Sequence, residues 1–326
     1  MSKIYEALRQ AELDRANTAV AELDPATHTP TKPQAVLDTQ RAPGYSSSAS
    51  ALAIAPPVAK KIAADPIDDH IDLANISQYI WNPSLHQLPA LEQRGSSVEQ
   101  FRSLRSRMQE FRDLNTLKSI LVSSALPQEG KSFVAANLAI AFACHKAARV
   151  LLIDGDMRRA SLYKVLGAPE GPGLTEYLAG NATLSSIMQR PRSDDSGHPL
   201  PLGLASLIFI PGGHASDKAA DLSGNRRFDR LIAEAAPHFD WIVVDSSPVN
   251  LVSDGVNLAR ACDGVLLVAR GGTTKYEAAQ RALAELKASN VLGFVLNAVE
   301  NPPVTGGYYG YDGYDKIENN QGLPTQ

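Results

Sequence analysis

The stretch Leu121-Val-Ser-Ser-Ala-Leu-Pro-Gln-Glu-Gly-Lys-Ser-Phe133 constrains this chain more than any other. It reads as a short apolar strand, a tight turn and the first residues of a helix. Backbone N–H groups at such a helix start point outward and carry partial positive charge, so the turn is built to hold phosphate. Lys131 adds a point charge, and the Ser132 hydroxyl is placed to ligate Mg²⁺. The segment that follows, Phe133 to Cys144, is apolar nearly all round, which predicts a helix packed on a sheet. One position departs from the usual pattern, which opens on glycine where this chain has Ala125.

Two carboxylate motifs lie further on. In Leu151-Leu-Ile-Asp154-Gly-Asp156-Met-Arg158, three apolar residues run into two aspartates at i and i+2, on one side of an extended chain. Two anions at a sheet edge cost free energy unless a cation offsets them, and Mg²⁺ on oxygen ligands does so. Arg158 is placed to steady a phosphate or a neighbouring carboxylate. In Trp241-Ile-Val-Val-Asp245-Ser-Ser-Pro248 a second apolar strand ends in an aspartate. Such a carboxylate reaches the metal or its water shell in phosphate-turn proteins. Three motifs in this order point to nucleotide binding.

The chain between them alternates. Strands are expected at 119–123, 149–153, 207–210, 241–244, 264–269 and 291–296. Helices are expected at 97–112, 130–145, 159–166, 174–178, 184–188, 226–236, 253–261 and 275–289. Apolar strands separated by helices make an α/β fold, a doubly wound and mostly parallel sheet covered on both faces, which binds ligands at the carboxyl ends of its strands. On the 97–112 helix, Glu99, Arg102 and Arg105 recur every three residues along one edge. They form either a solvated charged face or a contact between subunits.

The flanks differ in kind. Residues 1–16 read as an amphipathic helix, with Ile4, Leu8 and Ala11 on one face. From 17 to about 75 proline recurs among Ala, Thr and Ser, too little apolar area for a core, so a disordered linker is expected. The domain proper is expected over 76–300. The tail, 301–326, holds Tyr308, Tyr309, Tyr311 and Tyr314, four of the chain's ten tyrosines, with no apolar neighbours to pack against. A net charge of −4 gives no field for nucleic acid. No apolar run reaches the ~18 residues of a membrane span and no signal peptide opens the chain, so a soluble, cytoplasmic protein is expected.

Together these features resemble the bacterial tyrosine kinases of exopolysaccharide systems, P-loop autokinases. The resemblance covers roughly residues 95–315. It rests on the turn with Pro127, Gly130, Lys131 and Ser132, on Asp154-Gly-Asp156-Met-Arg158, and on Asp245. Glu99, Arg102 and Arg105 match the family's oligomerisation motif, and the tyrosine tail matches its autophosphorylation cluster. The opening Met-Ser-Lys-Ile-Tyr-Glu-Ala-Leu is similar to the start of members encoded with export systems. Gln128 stands where the family usually has glycine, and Ser247-Pro248 where it has Pro-Pro. Partition and division-site ATPases share the carboxylate motifs but carry a lysine where this chain has Leu126, and lack the tail. A dimerising ATPase switch of that kind, or a nucleotide-binding scaffold without kinase activity, is the alternative.

The resemblance implies ATP and Mg²⁺ as cofactors. The backbone of Pro127, Gln128, Glu129, Gly130, Lys131, Ser132 and Phe133 would hold the nucleotide, with Lys131 on the phosphates. Ser132, Asp156 and Asp245 would serve the metal, and Arg158 and Asn297 would complete the nucleotide site, Asn297 near the adenine. Asp154 is the candidate to accept the phenol proton. The expected substrate is the tail of a neighbouring subunit in a ring. A membrane-embedded polysaccharide chain-length regulator would activate the enzyme and hold it at the inner face of the membrane, and a tyrosine phosphatase would reset it.

Overall fold

The computed structural model describes residues 71–146, 148–193 and 199–299. The expected helix over 1–16, most of the linker and the tail with Tyr308, Tyr309, Tyr311 and Tyr314 lie outside the described residues.

Eight strands form one sheet: β1 (Ser77–Ile80), β2 (Ser119–Ser124), β3 (Val150–Asp154), β4 (Gln189–Arg192), β5 (Leu207–Ile210), β6 (Trp241–Asp245), β7 (Gly264–Arg270) and β8 (Val291–Asn297). Their order is β1-β4-β5-β3-β6-β2-β7-β8. The six strands from β5 to β8 are mutually parallel, while β4 pairs antiparallel with β5 and β1 pairs parallel with β4. Every residue of β2, β3 and β6 is buried, as their unbroken apolar runs predict. Side chains alternate between two cores. Leu121, Leu151, Ile153, Ile242 and Val244 face one. Ile120, Val122, Val150, Leu152 and Val243 face the other.

Helices cover both faces, so the fold is a doubly wound, P-loop-type α/β sheet. They are α1 (Ser96–Leu114), α2 (Lys131–Ala143), α3 (Leu162–Leu166), α4 (Leu174–Leu178), α5 (Leu184–Ile187), α6 (Leu202–Ala205), α7 (Ala219–Ser223), α8 (Arg226–Ala235), α9 (Asp254–Ala259) and α10 (Tyr276–Glu285). Helix α2 is apolar all round because it is buried all round, between the sheet and α1. Phe142 stacks on Trp241 of β6, ring centroids 4.1 Å apart, while Phe133 meets Phe101 of α1 edge-on at 5.7 Å. Helices α4, α5, α8, α9 and α10 pack on the opposite core.

Four elements had no sequence signal. Strands β1 and β4 are four residues each, β1 is exposed throughout and β4 contains Pro191. Helices α6 and α7 span about one turn. Such short pieces depend on tertiary contacts rather than on a periodic pattern of their own. The helix expected from Arg159 starts at Leu162, because Asp154 Oδ2 accepts the N–H groups of Ser161 at 2.9 Å and Leu162 at 3.0 Å. Among the described residues no helix is long and apolar enough to cross a membrane.

Candidate active site

The strand order decides what meets. With β6 between β3 and β2, Asp154 and Asp245 are register partners, and Asp245 is in turn the partner of Val122, two residues before β2 ends. The phosphate turn and both carboxylate motifs therefore share one edge of the sheet, the carboxyl ends of the parallel strands, where such folds take ligands.

The turn itself is held from three sides. Gly130 caps α2 with φ of 95°, and a Cβ there would lie 1.9 Å from Asn297 Nδ2. Glycine is thus demanded twice, by conformation and by space. Gln128 takes φ of 62°, a left-handed value that costs about 1 kcal/mol for a residue with a Cβ. That is the position where the resembling pattern has glycine. Glu129 is buried, its Oε2 accepting from Leu126 N at 2.8 Å and its Oε1 from the Thr274 hydroxyl. Asn297 Nδ2 donates to Glu129 O at 3.0 Å and Arg270 Nη1 to Gln128 O at 3.4 Å. Pro127 and Gln128 are exposed at the tip of the turn.

Three aspartates face Lys131, and their surroundings differ. Asp156 Oδ2 lies 3.2 Å from Lys131 Nζ. Its Oδ1 accepts from Ser247 Oγ at 3.0 Å and from Arg159 N at 3.2 Å. Asp154 is fully buried and accepts three backbone N–H groups, Asp156 at 3.2 Å besides Ser161 and Leu162. A carboxylate has about four acceptor positions, so one is left. Burial, and then the neighbouring Asp245, push its pKa up to about 7. Asp245 is also fully buried, and neither of its oxygens receives a well-formed hydrogen bond. Burial pushes it up to about 6, against the pull of Lys131 and the nearby Ser132 hydroxyl. For Lys131, burial acts to lower the pKa but is outweighed by Asp245 and Asp156, so the ammonium is reinforced.

This donor set fits a small hard cation. A buried carboxylate with no partner, beside a second carboxylate and a serine hydroxyl, has charge and lone pairs to spare, and one lysine does not balance three aspartates.

Arg158 is held by a fourth aspartate. Its Nε and Nη2 pair with Asp254 Oδ2 at 2.6 Å and Oδ1 at 3.4 Å, at the start of α9. Asp254, fully buried, was missed in the sequence, since an acid at a helix start reads as an ordinary dipole contact. Thr274 and Arg270 were missed too, because their contacts to the turn span more than 140 residues of chain.

On α1, Arg102 pairs with Glu99 of the same helix and donates to Gln93 O at 3.1 Å. Arg105 Nη1 donates to Ala141 O on α2 at 3.2 Å.

A parallel sheet with a phosphate turn and two strand-end carboxylate motifs at one edge defines a P-loop nucleotide-binding protein. No family model matches the chain. It is 31% identical over 225 residues to the tyrosine-protein kinase CpsD of Streptococcus agalactiae, covering 68% of this chain and 91% of that relative. It is 30% identical over 223 residues to the tyrosine-protein kinase YwqD of Bacillus subtilis (strain 168), covering 67% and 89%. Among solved structures, the kinase domain of Escherichia coli tyrosine kinase ETK superposes with a TM-score of 0.61 at 27% identity, over 75% of this chain and 91% of that one. The chain belongs to the bacterial tyrosine kinases.

Proposed function

We propose that this chain is an ATP-dependent autokinase that phosphorylates Tyr308, Tyr309, Tyr311 and Tyr314 on a neighbouring copy. The observation that carries the reading is Asp245, fully buried and unpartnered beside Lys131 and Asp156, at the end of the sheet where the phosphate turn opens.

Phosphoryl transfer is mostly positioning and charge stabilisation. The turn from Pro127 to Phe133 holds the phosphates through the backbone N–H groups that follow the proline. Lys131 places its charge on the β and γ phosphates, exchanging its bond to Asp156 for them. Ser132, Asp156 and Asp245 would hold Mg²⁺, which when bound neutralises charge on the phosphate oxygens. Asp154 keeps one acceptor position for the phenol proton. Burial raises its pKa above the ordinary carboxylate range, toward that of the phenol it would deprotonate. Asn297, on the loop side of the turn, is the proposed adenine neighbour, and Arg158 acts through Asp254 to steady the aspartate loop.

The resemblance in the motifs extends this reading to a place in polysaccharide export, with a membrane-embedded chain-length regulator as activator, peripheral attachment to the inner membrane face, and a phosphatase that resets the tail. The test is Lys131→Met, made in cells lacking other tyrosine kinases and mapped by mass spectrometry. Phosphotyrosine should fall at least ~100-fold while the fold is kept, and wild-type label should sit in the tail. Normal phosphotyrosine on the variant would sink the kinase reading. Label mainly on Tyr163, Tyr177 or Tyr276 would sink the choice of tail.

A further inference from the structure

Ser247, one of the three departures in the motif sequences, has a specific place in the site. It is 2% exposed, and its hydroxyl donates to Asp156 Oδ1 at 3.0 Å. Its own backbone is fixed. Ser123 Oγ donates to the Ser247 carbonyl at 2.9 Å, while the adjacent Ser246 Oγ donates to Val122 O of β2 at 3.1 Å. Gly255 approaches the Ser247 carbonyl so closely that a Cβ there would lie 2.7 Å from it. Asp156, by contrast, sits in the loop after β3, outside regular structure. A proline at position 247 would offer this carboxylate nothing, because its ring carries no donor.

We propose that Ser247 is a positioning residue for Asp156. Anchored on β2 through Ser123, it holds Oδ1 so that Oδ2 stays turned toward Lys131 and the phosphate turn. The need is greatest once Lys131 has given its charge to phosphate, because Asp156 then loses its cation and only Ser247 and the Arg159 N–H orient it. A donor on a rigid support removes the freedom that a metal would otherwise have to freeze out. The proposal rests on the reading of Asp156 as a Mg²⁺ ligand.

The test is a Mg²⁺ titration of fluorescent ADP binding on the full chain, for wild type, Ser247→Ala, Asp156→Asn and the double variant. Ser247→Ala should raise the Mg²⁺ concentration for half-maximal binding about ten- to hundredfold, as expected for one lost hydrogen bond to a charged group. Binding in EDTA should change less than about twofold. In the Asp156→Asn background the serine should matter less than about twofold, since it acts through that carboxylate. Should Ser247→Ala fail to fold, Ser247→Cys fills the volume with a weak donor and should show a smaller loss of the same kind. Unchanged half-saturation, an equal loss in EDTA, or an undiminished loss in the Asp156→Asn background would each overturn the proposal. A wild type whose ADP binding ignores Mg²⁺ would remove the metal reading itself, before any variant is compared.

Discussion

At the scale of single residues, the site works against the fold that holds it. Asp154 and Asp245 have pKa values of about 7 and about 6, raised chiefly by burial. In the unfolded chain both return to about 4. Between those limits the folded state binds more protons than the unfolded one, so stability falls as pH rises from about 4 to about 7 and then levels off. The nucleotide-free protein should accordingly melt at higher temperature at pH 5.5 than at pH 8. Asp245→Asn should remove part of that slope and raise the Tm at pH 8 by about 3–8 °C, while phosphotransfer falls about 100-fold or more. Melting curves across pH, paired with radiolabel transfer, check both halves. A variant whose Tm still follows pH as steeply as wild type would show that Asp245 is not the strained group.

The informative unit at the element scale is the turn before α2. Its shape depends on contacts that touch no phosphate, chiefly the Glu129 carboxylate tying Leu126 N to the Thr274 hydroxyl after β7. Removing that carboxylate leaves a half-buried N–H unsatisfied, at a cost of about 1–3 kcal/mol that falls on the phosphate-binding shape of the turn. Glu129→Ala should therefore raise the ATP KM about tenfold with a smaller effect on kcat, and Thr274→Val should do the same more weakly. Calorimetric binding of ADP to both variants tests this, and unaltered affinity in Glu129→Ala would show that the turn keeps its shape unaided. The turn's outline was legible in the sequence because its Gly-Lys-Ser is followed, in order, by two strand-end aspartate motifs. The brace was not legible, because Glu129 and Thr274 are 145 residues apart and meet only when β7 is laid beside β2.

For the whole molecule, the proposed assembly turns on α1. Arg102 pairs with Glu99 of its own helix, both side chains 43% exposed. An exposed pair of this kind contributes at most a few tenths of a kcal/mol, so Glu99 can exchange Arg102 for an arginine of a second copy at little cost. Arg105 is anchored more firmly, on Ala141 O, and burial followed by the nearby Arg102 lowers its pKa. In the proposed assembly such a heterologous contact would form a ring when the rotation between successive copies closes. Four phosphotyrosines would add about −6 to −8 charges to a tail that already carries Asp312 and Asp315, and would be repelled by a cleft holding three aspartates. Light scattering at matched concentration and salt should show the phosphatase-treated wild type several-fold heavier than its phosphorylated form and than Arg102→Ala/Arg105→Ala. Equal masses in all samples would rule the ring out.

What the sequence determined by itself is what a local pattern can encode. Unbroken apolar runs made β2, β3 and β6, alternating side chains assigned each residue to one core or the other, and the motif ends marked Lys131, Asp154, Asp156 and Asp245. Tertiary structure alone decided the partnerships. Placing β6 between β3 and β2 set Asp154 against Asp245 and left the latter without a well-formed hydrogen bond, which no spacing reveals. The same placement brought Ser247 onto Asp156 and Asp254 onto Arg158, pairs 91 and 96 residues apart. The physical reason is range: periodicity and capping act over a few residues, whereas the field on a buried carboxylate comes from whichever strands and loops the sheet order brings beside it.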